Sequence, residues 1–141
     1  MRVMICGHAT KNTEAGQLPT QEALAKMMQF NEELVNAGVL IDGVGLLPTS
    51  KAKRVRFSSS QCTVIDGPFA ESKELIAGYS IWQVKSIEEA VEWVKRAPLE
   101  EGAEVTIRPL FSPEDFGDAA TPELRARGER LRADAAQLKT S

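Results

Sequence analysis

The stretch VIDGPFAESKELIAGYSIWQV, residues 64–84, decides how this chain is read. It opens as the end of one strand, breaks at Asp66-Gly67-Pro68, crosses a charged segment, and resumes at Gly78 as a strand rich in aromatic and branched residues. Aspartate can close an Asx turn, glycine reaches backbone angles that other residues avoid, and proline fixes its own φ while removing a donor. Strand, turn and strand follow directly. The open question is whether the turn only redirects the chain or is also the mouth of a working site.

Upstream, Arg54-Val55-Arg56-Phe57 alternates polar and apolar, Ser58-Ser59-Ser60-Gln61 turns, and Cys62-Thr63-Val64-Ile65 returns, which spells a hairpin. Before it, Val39-Leu40-Ile41 and Val44-Gly45-Leu46-Leu47 form a strand with a bulge or bend at Asp42-Gly43, closed by Pro48. Leu24, Met27, Met28, Leu34 and Val35 recur at helical spacing between an N-cap at Thr20 and Gly38 just past the end, with Asn31 on the same face. Residues 2–6 (RVMIC) read as a short buried strand ended by Gly7, and a polar loop follows.

Downstream, Ser86-Ile87-Glu88-Glu89 is a capping box, in which the serine hydroxyl accepts from the Glu89 N–H and the Glu89 side chain reaches back to the Ser86 N–H. Ile87, Ala90, Val91 and Val94 continue as the apolar stripe of a helix, widened by Trp93 and stopped by Pro98. Residues 104–110 (EVTIRPL) alternate as a last strand, Val105 and Ile107 on one face, Thr106 and Arg108 on the other.

The order is that of an α+β protein: a ferredoxin-like βαββαβ sheet with an extra hairpin and both helices on one face. The other face then needs cover, and an isologous contact with a second copy supplies it, so a homodimer is expected. Residues 1–111 read as this domain, and 112–141 as a linker followed by a C-terminal helix. That helix starts at Thr121-Pro122 and carries Leu124, Leu131 and Leu138 every seven residues, with Gly128 costing about 1 kcal/mol in its middle.

At 141 residues the chain fits a single core-forming domain plus this tail. Seventeen basic against twenty acidic side chains give a net charge of −3 without any long Lys/Arg run, so no nucleic-acid partner is expected. The first residues are too short an apolar run for a signal segment, and no stretch is long enough for a membrane span, so the expectation is a cytoplasmic protein with no membrane partner. Cys6 and Cys62, both in apolar strand contexts, fit that reducing compartment as small hydrophobic residues.

Asp66-Gly67-Pro68-Phe69-Ala70-Glu71-Ser72-Lys73-Glu74, then Gly78-Tyr79 and the helix Ile87-Glu88-Glu89-Ala90-Val91-Glu92-Trp93, resembles the DGPF-domain branch of the YCII-related family over about residues 1–111. The resemblance implies a dimeric α+β barrel. Some relatives in the wider family, the YCII proper and a dehydrochlorinase, use a His–Asp pair, the histidine in the first helix and the aspartate just after the second. This chain departs from that pattern: the first helix holds no histidine, and Arg96-Ala97-Pro98 has alanine where the aspartate would stand. The resemblance also implies an alternative, a non-catalytic accessory linked to an extracytoplasmic-function sigma factor, for which the leucine-striped tail offers a docking surface.

The chemistry that remains centres on the end of the sheet. Asp66 serves there as a general base or orienting carboxylate, and His8, the only histidine, as a proton shuttle; a turn residue and a solvated loop histidine are the plainer readings. Antiparallel geometry puts the end of the first strand beside the loop 66–78. Gly67, Pro68, Phe69, Lys73, Tyr79 and Arg108 are the candidate substrate-binding residues, Lys73 or Arg108 acting as an anion clamp for a small-molecule ligand. For Arg108, an ion pair with an Asp or Glu of the twin subunit is an equal claim. One histidine cannot build a zinc site, and GxGxxG, P-loop, GxSxG and HExxH are all missing, so neither metal nor cofactor is expected.

Overall fold

The computed structural model describes residues 1–70 and 74–140. In chain order the elements are β1 (Arg2–His8), α1 (Lys11–Glu14), α2 (Gln21–Asn36), β2 (Leu40–Gly45), β3 (Lys53–Phe57), β4 (Cys62–Asp66), β5 (Ile76–Gln83), α3 (Ile87–Lys95), β6 (Val105–Pro109) and α4 (Pro122–Thr140). Met1–Pro109 and Leu110–Ser141 are separate compact units.

In the first unit four antiparallel strands stand in the order β2-β5-β1-β6, the arrangement of a ferredoxin-like sheet, and β3-β4 form a second sheet of their own. The main core cluster lies on one face of the larger sheet, and Cys6 is buried on the other. Val3 and Ile5 of β1 and Trp82 of β5 meet Phe30 and Leu34 of α2 and Ala90 of α3, with Ile107 of β6 packed against them. Phe30 sits edge-on to both Trp82 and Trp93, at ring separations of 6.4 and 6.5 Å, so two helices and the sheet share one aromatic contact. Arg96 lies over the Trp93 ring and reaches Glu33 of α2 at 2.7 Å, bridging the helix pair at its surface.

Several details depart from the sequence reading, each for a local reason. β1 does not stop at Gly7: that residue is paired on both sides, with Gly78 and Val105, and the His8 N–H goes on to donate to the Glu104 carbonyl at 3.0 Å. The polar loop after it contains α1, nucleated by Thr10 and Thr13 capping one another. Residues 27, 30 and 34 form the buried stripe of α2, whereas Leu24, Val35 and Met28 (62% exposed) fall outside it. At α3 the Ser86 hydroxyl accepts from the Glu89 N–H as expected, but the Glu89 carboxylate takes the Lys85 N–H instead of that of Ser86. β5 begins at Ile76, two residues before Gly78, because Ile76 pairs with His8. Cys62 is exposed, unlike buried Cys6, since it ends a two-stranded hairpin whose partner Phe57 is 79% exposed.

In the second unit Ser112 and Asp115 cap a 3₁₀ segment over Pro113–Ala119, and Phe111 stacks on Phe116 at 4.9 Å. The Thr121 hydroxyl then accepts from the Leu124 N–H to start α4. Leu124 and Leu131 are exposed along it.

Candidate functional site

An isolated two-stranded hairpin is marginal in water, so β3-β4 needs anchoring. The Asp66-Gly67-Pro68-Phe69 turn supplies it. The Gly67 N–H donates to the Ala52 carbonyl at 3.0 Å, and the Phe69 N–H donates to the Thr49 hydroxyl at 3.1 Å. That hydroxyl in turn donates to the Glu14 carboxylate at 2.5 Å, and the same carboxylate accepts from the Thr49 N–H. The Arg54 guanidinium covers the Phe69 ring, 4.1 Å from its centre. Asp66 itself is paired with Lys53 across the hairpin at 2.6 Å, both side chains well exposed. An exposed pair of this kind contributes at most about 1 kcal/mol. The turn is therefore knitted to residues 49–52 and to α1 by contacts that involve Glu14, Thr49 and Arg54, none of which the sequence marked.

A second feature lies under the helices. In the sheet, Gly7 pairs with Gly78 and Gly78 with Gly45, so three neighbouring strands offer a row without side chains on the face that α2 and α3 cover. Gly78 is held to glycine by close approach, since a Cβ there would stand 3.1 Å from the Val44 carbonyl oxygen. A Cβ on Gly45 would meet nothing within 4 Å, and one on Gly7 only the Gly78 carbonyl at 3.9 Å. The missing side chains leave a cleft of about 400 Å³. Ile5, Ser80 and Gly43 continue its floor, Trp82 and Leu40 stand behind, and Met27, Phe30 and Asn31 of α2 with Val94, Ala97 and Leu99 roof it. The lining is mostly apolar. Trp82, 3% exposed, carries an indole N–H that is buried and unpartnered among the described residues.

His8 is one residue beyond the cleft floor, on the opposite face. Its Nε2 is 2.6 Å from the Thr106 hydroxyl, and its Nδ1 is 4.0 Å from the Glu104 carboxylate. The Ala9 N–H donates to the Leu75 carbonyl at 2.9 Å, so the far end of the loop 66–78 lies beside His8. His8 makes no hydrogen bond to Asp66, whose partner is Lys53. Tyr79 is among the residues lining the cleft and pairs with Val44 and Cys6. Arg108 is exposed on β6 opposite Met4, and Lys73 lies outside the described residues. The cleft itself had one trace in the sequence, glycines at the same end of three strands, which becomes visible only once the strand register is known.

Fold and cleft together define a ferredoxin-like α+β domain with a ligand-sized apolar cavity between its sheet and its helices. The sequence model of the YCII-related domain matches residues 1–112, and the chain belongs to the YCII-related family. An uncharacterised protein of Rhizobium meliloti (strain 1021) is 31% identical over 75 residues, which are 53% of this chain and 60% of that protein's length. Among solved structures, the 5-chloro-2-hydroxyhydroquinone dehydrochlorinase of Burkholderia phenoliruptrix AC1100, in complex with 2,5-dihydroxybenzoquinone, aligns with 79% of this chain and 96% of its own, at 15% identity and a TM-score of 0.43. Among the described residues no helix is long and apolar enough to cross a membrane.

Proposed function

We propose that this protein binds a small, largely apolar organic molecule in the cleft above the Gly7–Gly78–Gly45 row. The observation that carries the reading is an apolar cavity floored by glycines and lined in part by Trp82, whose buried N–H has no partner among the described residues. A buried donor without a partner costs roughly 1–3 kcal/mol, and a ligand acceptor offsets that cost. The volume lies within the roughly 300–1,000 Å³ typical of small-molecule sites, and the mixture of apolar walls with a few polar groups is their usual chemistry. Asn31 adds a second polar side chain at the roof.

His8, held between Thr106 and Glu104 on the sheet face opposite the cleft, is out of reach of a molecule bound there, so a proton-transfer role for it belongs to the sheet end and not to the cleft. Asp66, engaged by Lys53, has an orienting part in that role, and Gly67, Pro68 and Phe69 shape the turn that holds it. The working form is a homodimer in the cytoplasm. The core cluster occupies one sheet face, and on the other Cys6 is buried while Met4, Tyr79 and Ile81 are partly exposed, as is apolar Val44. A sigma-factor accessory role finds no support in the comparisons and is not carried further.

α-Tetralone, an apolar bicyclic ketone whose oxygen can accept from Trp82, is a suitable probe. Tryptophan fluorescence should report saturable binding, weakened at least about ten-fold, some 1.4 kcal/mol, by Gly45→Leu, which fills the cleft. Binding that is absent, or unchanged in that variant, would rule the cleft out.

A further inference from the structure

On the sheet face away from the core, one row crosses all four strands. Asp42 of β2 pairs with Ile81 of β5, Ile81 with Met4 of β1, and Met4 with Arg108 of β6. Side chains of paired antiparallel residues share a face, and Ile81, Met4 and Arg108 alternate with the core-facing Trp82, Val3, Ile5 and Ile107. The row therefore reads acid, apolar, apolar, base from one edge of the sheet to the other. β2 and β6 are its two edges.

Neither charge has a counter-charge among the described residues. Arg108 has no ion-pair or hydrogen-bond partner for its side chain among the described residues, and the Asp42 carboxylate accepts only the neighbouring Gly43 N–H, at 2.9 Å. A second copy covering this face would bury both charges, and a buried guanidinium without a counter-charge is strongly unfavourable.

We propose that two copies pack through this face about a two-fold axis parallel to the strands, so that Arg108 of each protomer pairs with Asp42 of the other. The inference rests on the homodimer of the preceding section. Rotation about that axis exchanges the sheet edges, laying β6 over the partner's β2 and bringing opposite charges together twice. Rotation about an axis running across the strands would instead lay β2 over β2 and β6 over β6, and like charges would meet. The charge pattern thus selects one of two geometries. Stacked sheets lie about 10 Å apart, a gap that an arginine facing an aspartate can span, while Met4 and Ile81 fill the middle.

Sedimentation equilibrium on the full chain tests both levels. A dimeric wild type whose dissociation constant rises at least ten-fold in Asp42→Arg and in Arg108→Asp, and recovers most of that loss in the charge-reversed double variant, establishes the pair. The neutral variants Asp42→Asn and Arg108→Met, coupled in the same cycle, give the same answer if a reversed charge disturbs folding. A dimeric wild type with additive effects in the cycle overturns the ion pair while sparing the homodimer. Tighter association in Asp42→Asn alone overturns it too, since relief of a like-charge contact belongs to the other axis. A monomeric wild type removes the homodimer and the pair with it.

Discussion

A Cβ on Gly67 would fall on the carbonyl oxygen of Thr49. The glycine of the Asp66-Gly67-Pro68-Phe69 turn is there because the backbone of residues 49–52 runs against it, and its own N–H donates to the Ala52 carbonyl at 3.0 Å. This contact fastens the exposed β3-β4 hairpin to the rest of the domain.

Gly67→Ala should therefore be costly. The obstacle is main chain, which cannot swing aside as a side chain would, so a loss of roughly 2–4 kcal/mol is expected. Urea unfolding of the variant measures it. A midpoint equal to that of the wild type would show that the turn tolerates a side chain.

The Thr49 hydroxyl is the joint between the turn and α1, accepting from the Phe69 N–H and donating to Glu14. Thr49→Val keeps the shape and removes both bonds, leaving a part-buried N–H and carboxylate short of partners. The expected cost is about 1–3 kcal/mol, with faster amide exchange at Phe69 as the local signature. Glu14→Gln, which keeps an acceptor, should cost less; equal losses would place the effect elsewhere.

Trp82→Phe separates a structural from a ligand-facing indole. The ring packs against Phe30 in the core, so the smaller phenyl ring leaves a cavity as well as removing the N–H, and a stability loss of roughly 1–3 kcal/mol is expected. α-Tetralone affinity, followed by calorimetry because one of the two tryptophans is gone, should fall several-fold. An affinity equal to that of the wild type would take the N–H out of the ligand's reach.

In the second unit, hydrogen bonds from the Ser112 backbone N–H, and then from its hydroxyl, hold the Asp115 carboxyl below the ordinary aspartate value. A carboxyl depressed in the folded state adds stability above its unfolded pKa, and loses it as pH falls through the folded one. The cap over Pro113–Ala119 should thus hold at neutral pH and open only at acid pH below the usual aspartate range. Carboxyl-carbon NMR on the full chain reads this titration. Ser112→Ala, which keeps the N–H donor, should move it part of the way back; an ordinary value in the wild type would contradict the cap.

How far the sequence was readable depended on the range of the interaction. Thr20, Ser86 and Thr121 were legible as helix starts because a cap involves groups three residues apart. The ladder of β1 with β5 and β6 was legible as an order of elements, because alternating apolar residues can face only one core. The extension of β1 through Gly7 and His8 was not, since it depends on partners about 70 and 100 positions away. The same holds for Glu14 and Thr49: each looks like an ordinary polar surface residue until the chain folds back and gives it the Asp66–Phe69 turn to hold.

The candidate site divides along the same line. Sequence alone determined the α+β order, the family likeness, and a sheet end carrying the only histidine, because residue type and local spacing suffice for those. Tertiary structure alone decided that Gly7, Gly78 and Gly45 stand side by side, that Asp66 is paired with Lys53 while His8 meets Thr106, and that Asp42 and Arg108 mark opposite ends of one row. Those relations depend on strand register, and register is set by the whole sheet closing on its core: a shift of one residue would send every one of these side chains to the other face.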